Sequence, residues 1–97
     1  MRRADTIWSD ESIADLGELW EYIAFDNETA ADRVVARIES RIESLLRFPL
    51  LGRKGREPGT RELVITGTPY LVIYVIGDRN VQIVRVIHSA RQWPPKR

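Results

Sequence analysis

The sequence predicts an α+β fold in the order β-α-α-β-β-β, with a helical hairpin packed on a small, mostly antiparallel sheet. Two observations predict it. Apolar residues in the first half recur every three or four positions, and the second half holds three β-rich runs separated by short turns. A chain of 97 residues, 43% of them hydrophobic, is expected to form a single domain over residues 1–97.

The first two elements are a short strand and a helix. An apolar run over residues 6–8 predicts the strand, and Ser9 and Asp10 follow it as residues that favour a helix start. The helix is predicted over residues 10–25. Its apolar stripe comprises Ile13, Leu16, Trp20 and Ile23. We expect this stripe to face the core.

A second helix is predicted after the segment Asp26-Asn27-Glu28, which interrupts the first pattern and supplies a new cap. It extends as far as Arg47, and Pro49 ends it. Its apolar stripe comprises Ala31, Val34, Ile38, Ile42 and Leu45. Only two or three residues connect the helices, so they are expected to form an antiparallel hairpin.

The segment 49–60, "PLLGRKGREPGT", is predicted to be a loop from its prolines and glycines. It contains Arg53, Lys54 and Arg56 and is the most basic stretch of the chain, so these three residues are candidates for binding phosphate or an acidic target.

Three strands are predicted next, over residues 61–66, 70–76 and 81–88, joined as an antiparallel meander. The middle run is apolar at both odd and even positions and is expected to be the central strand. Strict alternation in the last run would place Gln82, Val84, Val86 and His88 on one face. Trp93 is expected to hold the C-terminal tail against the body.

Composition excludes several kinds of chemistry. The chain has no cysteine, one histidine and no glycine-rich phosphate loop, so we expect neither a metal nor a cofactor. No run is apolar enough to span a membrane or serve as a leader, which favours the cytoplasm. Residues 1–50 carry six Lys/Arg against eleven Asp/Glu, and residues 51–97 carry nine against three. The net charge of +1 therefore hides a charge separation.

The chemistry that these residues could support is cleavage of RNA by its own 2′-hydroxyl. That reaction needs a base, an acid and cations near the phosphate. His88 could exchange a proton near neutral pH. The alternative is that His88 is a half-buried strand residue hydrogen-bonded to the backbone. Tyr70 and Tyr74 could stack on bases, but in so apolar a run they are more often core residues.

Four stretches in order carry a family resemblance: "WSDESIADLGELWEYIA", "LLRFPLLGRKG", "PGTRELVITGTPYLVIYVI" and "VQIVRVIHSARQWP". Over nearly its full length the chain resembles the RelE/ParE superfamily of small bacterial toxins from type II toxin-antitoxin modules. The resemblance implies a growth-arresting toxin that a cognate antitoxin holds inactive, in a heterotetramer or a larger complex. We expect the antitoxin to cover exposed parts of the helical hairpin, with Trp20 and Ile23 as contacts, and an open sheet edge.

The superfamily has two activities, and the resemblance leaves both open. RelE-like members are endonucleases that cut mRNA on the ribosome, and ParE-like members are not nucleases but poison DNA gyrase. The positions that would form a nuclease site are Lys54, Arg61, Tyr70, His88 and Arg91. Leu71 stands where RelE-like enzymes tend to place an arginine after the tyrosine, and the motif "GTREL" with the closing "IHSARQWP" favours the ParE-like branch. A third possibility is a non-toxic module that only binds an antitoxin.

Overall fold

A computed structural model describes residues 5–95, which form two helices on one face of a five-stranded sheet. The strands are β1 (Asp5–Trp8), β2 (Arg53–Lys54), β3 (Arg61–Val64), β4 (Tyr70–Gly77) and β5 (Asn80–His88), and the helices are α1 (Asp10–Ala24) and α2 (Glu28–Ser44). The predicted α+β class and element order are confirmed, with helix and strand ends shifted by one to three residues.

The sheet has the order β1-β5-β4-β3-β2, in which β1 runs parallel to β5 and all other pairs are antiparallel. The predicted meander is therefore confirmed, with β4 at the centre. The prediction of a plain loop over residues 49–60 was wrong in two places. Pro49–Leu51 forms one 3-10 turn, and β2 pairs Arg53 with Glu62. A two-residue strand carries too little periodicity to be visible in sequence.

Helix α1 is fixed at its start by hydrogen bonds to both the helix and the sheet. The Ser9 hydroxyl accepts from the Ser12 amide and donates to the Val84 carbonyl of β5. The predicted apolar stripe is wrong at its start, but Leu16 and Ile23 do pack against the main core. The residues of α1 that are buried are Ser12, Asp15 and Leu19, whereas Ile13 is 58% exposed. The buried face of α1 is therefore displaced from the predicted stripe, and the Asp15 carboxylate faces the sheet.

Helix α2 follows its predicted pattern. Asn27 caps it by accepting from the Ala30 amide. Ala31, Ile38, Ile42 and Leu45 of the stripe are buried, and Val34 is partly buried against the same cluster. Since four fully buried side chains lie on one face, burial of that face rather than helix propensity holds α2 on the sheet.

The central strand β4 is covered on both faces. Its residues Tyr70 to Tyr74 are all buried, as predicted for both tyrosines. The main core lies between the sheet and the helices and includes Tyr70, Val72 and Tyr74. A smaller cluster on the opposite face contains Leu71 and Ile73.

Strand β5 contains an irregularity that changes which residues share a face. Ile73 pairs with Arg85 but Tyr74 pairs with Ile83, so Val84 is an extra residue opposite this step. The expected alternating face was therefore wrong. Val81, Ile83 and Val86 lie in the main core, while Val84 packs against the smaller cluster.

No helix among residues 5–95 is both long enough and apolar enough to cross a membrane.

Candidate functional site

A groove of about 680 Å³ opens beside the helical face of the sheet. Its walls come from α1, the start of β4, the end of β5 and the turn before β4. The residues lining it include Glu18, Leu19, Tyr22, Ile23, Gly67, Tyr70, His88 and Arg91. Three of the five candidate nuclease residues, Tyr70, His88 and Arg91, thus meet at one place.

His88 is exposed at the end of β5, directly across from Tyr70. The two rings meet edge to face with their centroids 5.6 Å apart. His88 Nδ1 accepts a hydrogen bond of 3.0 Å from the Ala90 amide, so Nε2 carries the proton in the neutral ring. The expected alternative of a half-buried histidine was wrong about burial, because His88 ends β5 and is exposed among residues 5–95. Its expected hydrogen bond to the backbone is present.

The chemistry of Tyr70 argues against a role as a base. Burial raises the pKa of its phenol, and the nearby Tyr22 raises it further. A phenol whose pKa lies above its ordinary value near 10 stays protonated at neutral pH. Tyr70 can therefore position the His88 ring but is poorly suited to remove a proton.

The carboxylate of Asp15 lies next to the groove, and both of its oxygens already accept hydrogen bonds within the fold. It accepts from Arg85 Nε at 2.7 Å and Nη2 at 2.8 Å, and from the backbone amide of Val86 at 2.9 Å. The hydrogen bond to Asp15 raises the pKa of Arg85, and burial opposes it only in part. Strand β1 ends its pairing at Ile83, so Asp15 takes over the free amide of Val86 at this sheet edge.

The other two nuclease candidates lie elsewhere. Arg61 is opposite Tyr74 on the sheet, four residues along β4 from Tyr70, which is roughly 13 Å away at the ordinary rise of a strand. The Arg61 guanidinium donates to the Gly52 carbonyl at 2.6 Å. Lys54 lies on β2 beyond Arg61. The five candidates therefore divide between two ends of the sheet.

The basic segment is mostly neutralised within the fold. Glu62, 1% exposed, accepts from the guanidinium of Arg53 at 3.1 Å and from that of Arg56 at 3.2 Å. The Arg56 amide also donates to Glu62. Of the three predicted phosphate-binding residues, only Lys54 has no ion pair with another described residue. Glu62 was missed by the sequence analysis, because its partners are set by strand pairing.

We expect Glu62 to make folding stability depend on acid pH. Burial alone would raise the pKa of its carboxyl, but the hydrogen bonds from Arg56 and Arg53 outweigh this and leave the pKa below its ordinary value. The charged form is favoured in the folded state, so the stabilisation is present above the ordinary carboxyl pKa and is lost as the pH falls through the lowered one. Urea unfolding from pH 6 to pH 3 measures this loss.

In Glu62→Gln, the fall in unfolding free energy below about pH 4 should be shallower than in the unchanged chain. Glu57→Gln is the matched control on the same segment, because no hydrogen bond or ion pair of its carboxylate is found among residues 5–95. An identical pH profile for Glu62→Gln and the unchanged chain would contradict this assignment.

The sheet face away from the helices is covered by the C-terminal segment, as predicted for Trp93. Trp93 packs against the cluster of Leu71, Ile73 and Ile87. Its carbonyl accepts from Arg56, and the Arg85 guanidinium lies 6.0 Å from its ring centroid. On this face Trp93 therefore packs beside Arg56, whose side chain is 48% exposed.

The two residues expected at an antitoxin contact have different positions. Ile23 lines the groove, whereas the Trp20 indole donates to Asp32 of α2 at 2.8 Å and lies outside it. Trp20 thus joins the two helices.

Residues 5–95 contain no cluster of three or more histidine or acidic side chains that could hold a metal ion.

A family model described as the ParE toxin of the type II toxin-antitoxin system parDE matches residues 6–93. The chain belongs to the ParE toxin family. The RelE/ParE superfamily predicted from the four sequence stretches is therefore confirmed. The ParE-family toxin is a toxin of a type II toxin-antitoxin system.

Two relatives match this ParE-family toxin over almost its whole length. A relative from Sinorhizobium fredii, named "Putative toxin Y4kP", is 42% identical over 94 residues, which are 97% of each chain. The toxin RelE2 of Caulobacter vibrioides is 35% identical over 88 residues, which are 91% of this chain and 98% of that one. One of these relatives thus carries a RelE name, whereas the matching family model carries a ParE name.

Solved structures share the fold. The chromosomal ParDE system of P. aeruginosa has a chain with a TM-score of 0.78 and 21% identity, covering 89% of this chain and 95% of that one. The RelBE2 toxin-antitoxin complex of Mycobacterium tuberculosis matches with a TM-score of 0.68 and 26% identity, over 90% and 99% of the two chains. Both neighbours come from toxin-antitoxin assemblies, and this chain shares their fold.

Proposed function

We propose that this chain arrests bacterial growth by poisoning DNA gyrase in the cytoplasm, and that its cognate antitoxin prevents this. The observation that carries the choice of target is the division of the candidate nuclease residues. Tyr70, His88 and Arg91 lie at the groove, while Lys54 and Arg61 lie at the other end of the sheet. General acid-base cleavage requires its groups within hydrogen-bond reach of one substrate.

The charge distribution supports the same proposal. Two cations of the basic segment, Arg53 and Arg56, are paired with Glu62, and Arg61 is bound to a backbone carbonyl. A nuclease needs cations that are free to stabilise charge on the phosphorus oxygens. A gyrase poison has no such requirement, because the bond cleavage is performed by gyrase itself.

Two purified assays separate the targets. Under this proposal the chain inhibits supercoiling by gyrase and causes cleaved plasmid DNA to accumulate, while a purified translation system continues to work. Loss of translation with cleaved message and unaffected gyrase would refute it. Induction of the chain in bacteria, with and without its antitoxin, tests toxicity itself. Normal growth despite soluble protein would favour the non-toxic module.

A second candidate function, ribosome-dependent mRNA cleavage, is favoured by one feature of the groove. His88 is exposed, and Arg91 lines the same groove. The relative named RelE2 is consistent with this branch. The double variant His88→Ala/Arg91→Ala separates the two functions. It should lose killing if the chain is a nuclease, and retain killing while still inhibiting gyrase if our proposal is correct.

For the antitoxin we propose the groove as one docking area, with Ile23 as a contact. The groove combines apolar side chains such as Leu19 and Ile23 with charged ones at its rim, which suits an amphipathic segment. Trp20 would act indirectly there, by holding α1 against α2.

A further inference from the structure

Helix α2 carries its charges on two separate flanks. Arg33, Arg37 and Arg41 follow one another at intervals of four residues and so form one row along the helix. The four acidic residues of the helix lie on a different flank, and they are Glu28, Asp32, Glu39 and Glu43. The helix has carboxylates enough to pair each arginine, yet the sequence places none of them beside the row.

No carboxylate stands at helical spacing from the three arginines. The positions three and four residues before and after the three arginines are occupied by Thr29, Ala30, Val34, Ala36, Ile38, Ser40, Ser44 and Leu45, apart from the arginines themselves. None carries a negative charge. Among residues 5–95, the ion pairs within 4.0 Å involve Arg53, Arg56 and Arg85 only. Like charges at this spacing destabilise a helix slightly, so the row has a cost that no ion pair among residues 5–95 offsets.

The row extends across the turn before β4. Arg37 Nε donates to the Thr66 carbonyl at 2.5 Å, and its guanidinium lies over Gly67, 3.4 Å from where a Cβ would be. Gly67 in turn lines the groove together with His88 and Arg91. Basic side chains therefore lie on both sides of this turn. Glu18 is the one exposed carboxylate lining that groove, on its far wall.

We propose that the α2 arginine row, comprising Arg33, Arg37 and Arg41, binds the phosphate backbone of duplex DNA. Eight helical residues separate its ends, which corresponds to about 12 Å. The row is therefore long enough to run beside a short stretch of phosphate backbone, whose charges rise about 3.4 Å per step along the axis of each strand. Guanidinium groups suit this contact because they bind phosphate oxygens through two parallel hydrogen bonds.

The flank itself favours a duplex over a single strand. Proteins that hold single strands add aromatic side chains on which bases stack. Along this flank, Ala30 and Ser44 are the other residues, and neither is aromatic. The row therefore offers contacts to a backbone and none to bases, which predicts binding without sequence preference. This inference is independent of gyrase poisoning, because it concerns DNA alone.

The test is the affinity of the full chain for a fluorescent 20-base-pair duplex, measured by anisotropy from low to physiological salt without gyrase. We expect binding that weakens steeply with salt. The double variant Arg33→Gln/Arg37→Gln should reduce the slope of log K against log salt by about 1.8, since each lost phosphate contact accounts for about 0.9. Arg33→Gln alone should reduce it by about 0.9, and this change removes no hydrogen bond found in residues 5–95.

Arg47→Gln/Arg79→Gln is the matched control, because it removes two exposed positive charges elsewhere and should leave the slope nearly unchanged. The variant Arg33→Lys/Arg37→Lys should keep the salt slope of the unchanged chain, because a point charge is enough to release counterions. Thermal unfolding of each variant checks that the fold is retained. An equal loss in row and control variants would overturn the proposal. So would binding only to single-stranded RNA or to polyglutamate, because either result would assign the row to another partner.

Discussion

Replacing Asp15 with alanine is expected to lower the free energy of unfolding by about 3–5 kcal/mol, the range for breaking a buried ion pair on one side. The carboxylate holds the Arg85 side chain, which is 18% exposed, and satisfies the Val86 amide at the same time. Its loss would leave a mostly buried guanidinium and a buried backbone donor without partners. Both consequences add to the cost. Urea unfolding at neutral pH measures the change.

Glu18→Ala is the matched control for this prediction. Glu18 is one turn further along α1, is exposed and has no ion pair among the described residues. Its replacement should change stability by no more than about 0.5 kcal/mol, as for most surface substitutions. Similar losses in the two variants would mean that the cost arises from the helix and not from the contact with β5.

Ile38→Ala is expected to destabilise the fold by about 2–5 kcal/mol, the range for truncating a buried isoleucine. Ile38 is fully buried in the main core between α2 and the sheet. The loss comes from the apolar area returned to water and from the cavity left in a core that can relax only partly. Chemical denaturation reports it as a lower midpoint with an unchanged slope.

Ile13→Ala provides the comparison, because both isoleucines belong to the apolar stripes that the sequence predicts. Ile13 is 58% exposed in the structure, and its truncation should cost less than about 1 kcal/mol. If Ile13→Ala were as damaging as Ile38→Ala, α1 would have to face the sheet as its sequence pattern suggested. The two variants therefore measure how far α1 departs from its pattern.

The sequence predicts the buried face of a helix correctly where its apolar periodicity is complete. In α2 every third or fourth residue is apolar and the face they form is the buried face. In α1 the pattern was incomplete, since Asp15 and Ser12 are buried in place of Ile13. A sequence signal existed: Asp15 is a single acidic residue between the apolar positions Ile13 and Leu16. Its meaning depends on β5, which is 70 residues away along the chain.

The candidate site was predictable only in part, and for a geometric reason. In an antiparallel meander the start of one strand lies opposite the end of the next, so the meeting of Tyr70 with His88 follows from the strand assignment. The same reasoning would have placed Arg61, at the start of β3, far from Tyr70 at the start of β4. The pairing of Glu62 with Arg53 and Arg56 could not be foreseen, because β2 was not expected to exist.

The sequence by itself determined the order of the elements, the buried face of α2, the central position of β4 and the superfamily, since each depends on periodicity or on residues close together in the chain. The tertiary structure decided the rotation of α1, the face change at Val84, the neutralisation of the basic segment and the separation of Lys54 and Arg61 from His88. In each of these a polar group or a strand edge takes its partner from a distant segment, and only the folded chain brings the two together.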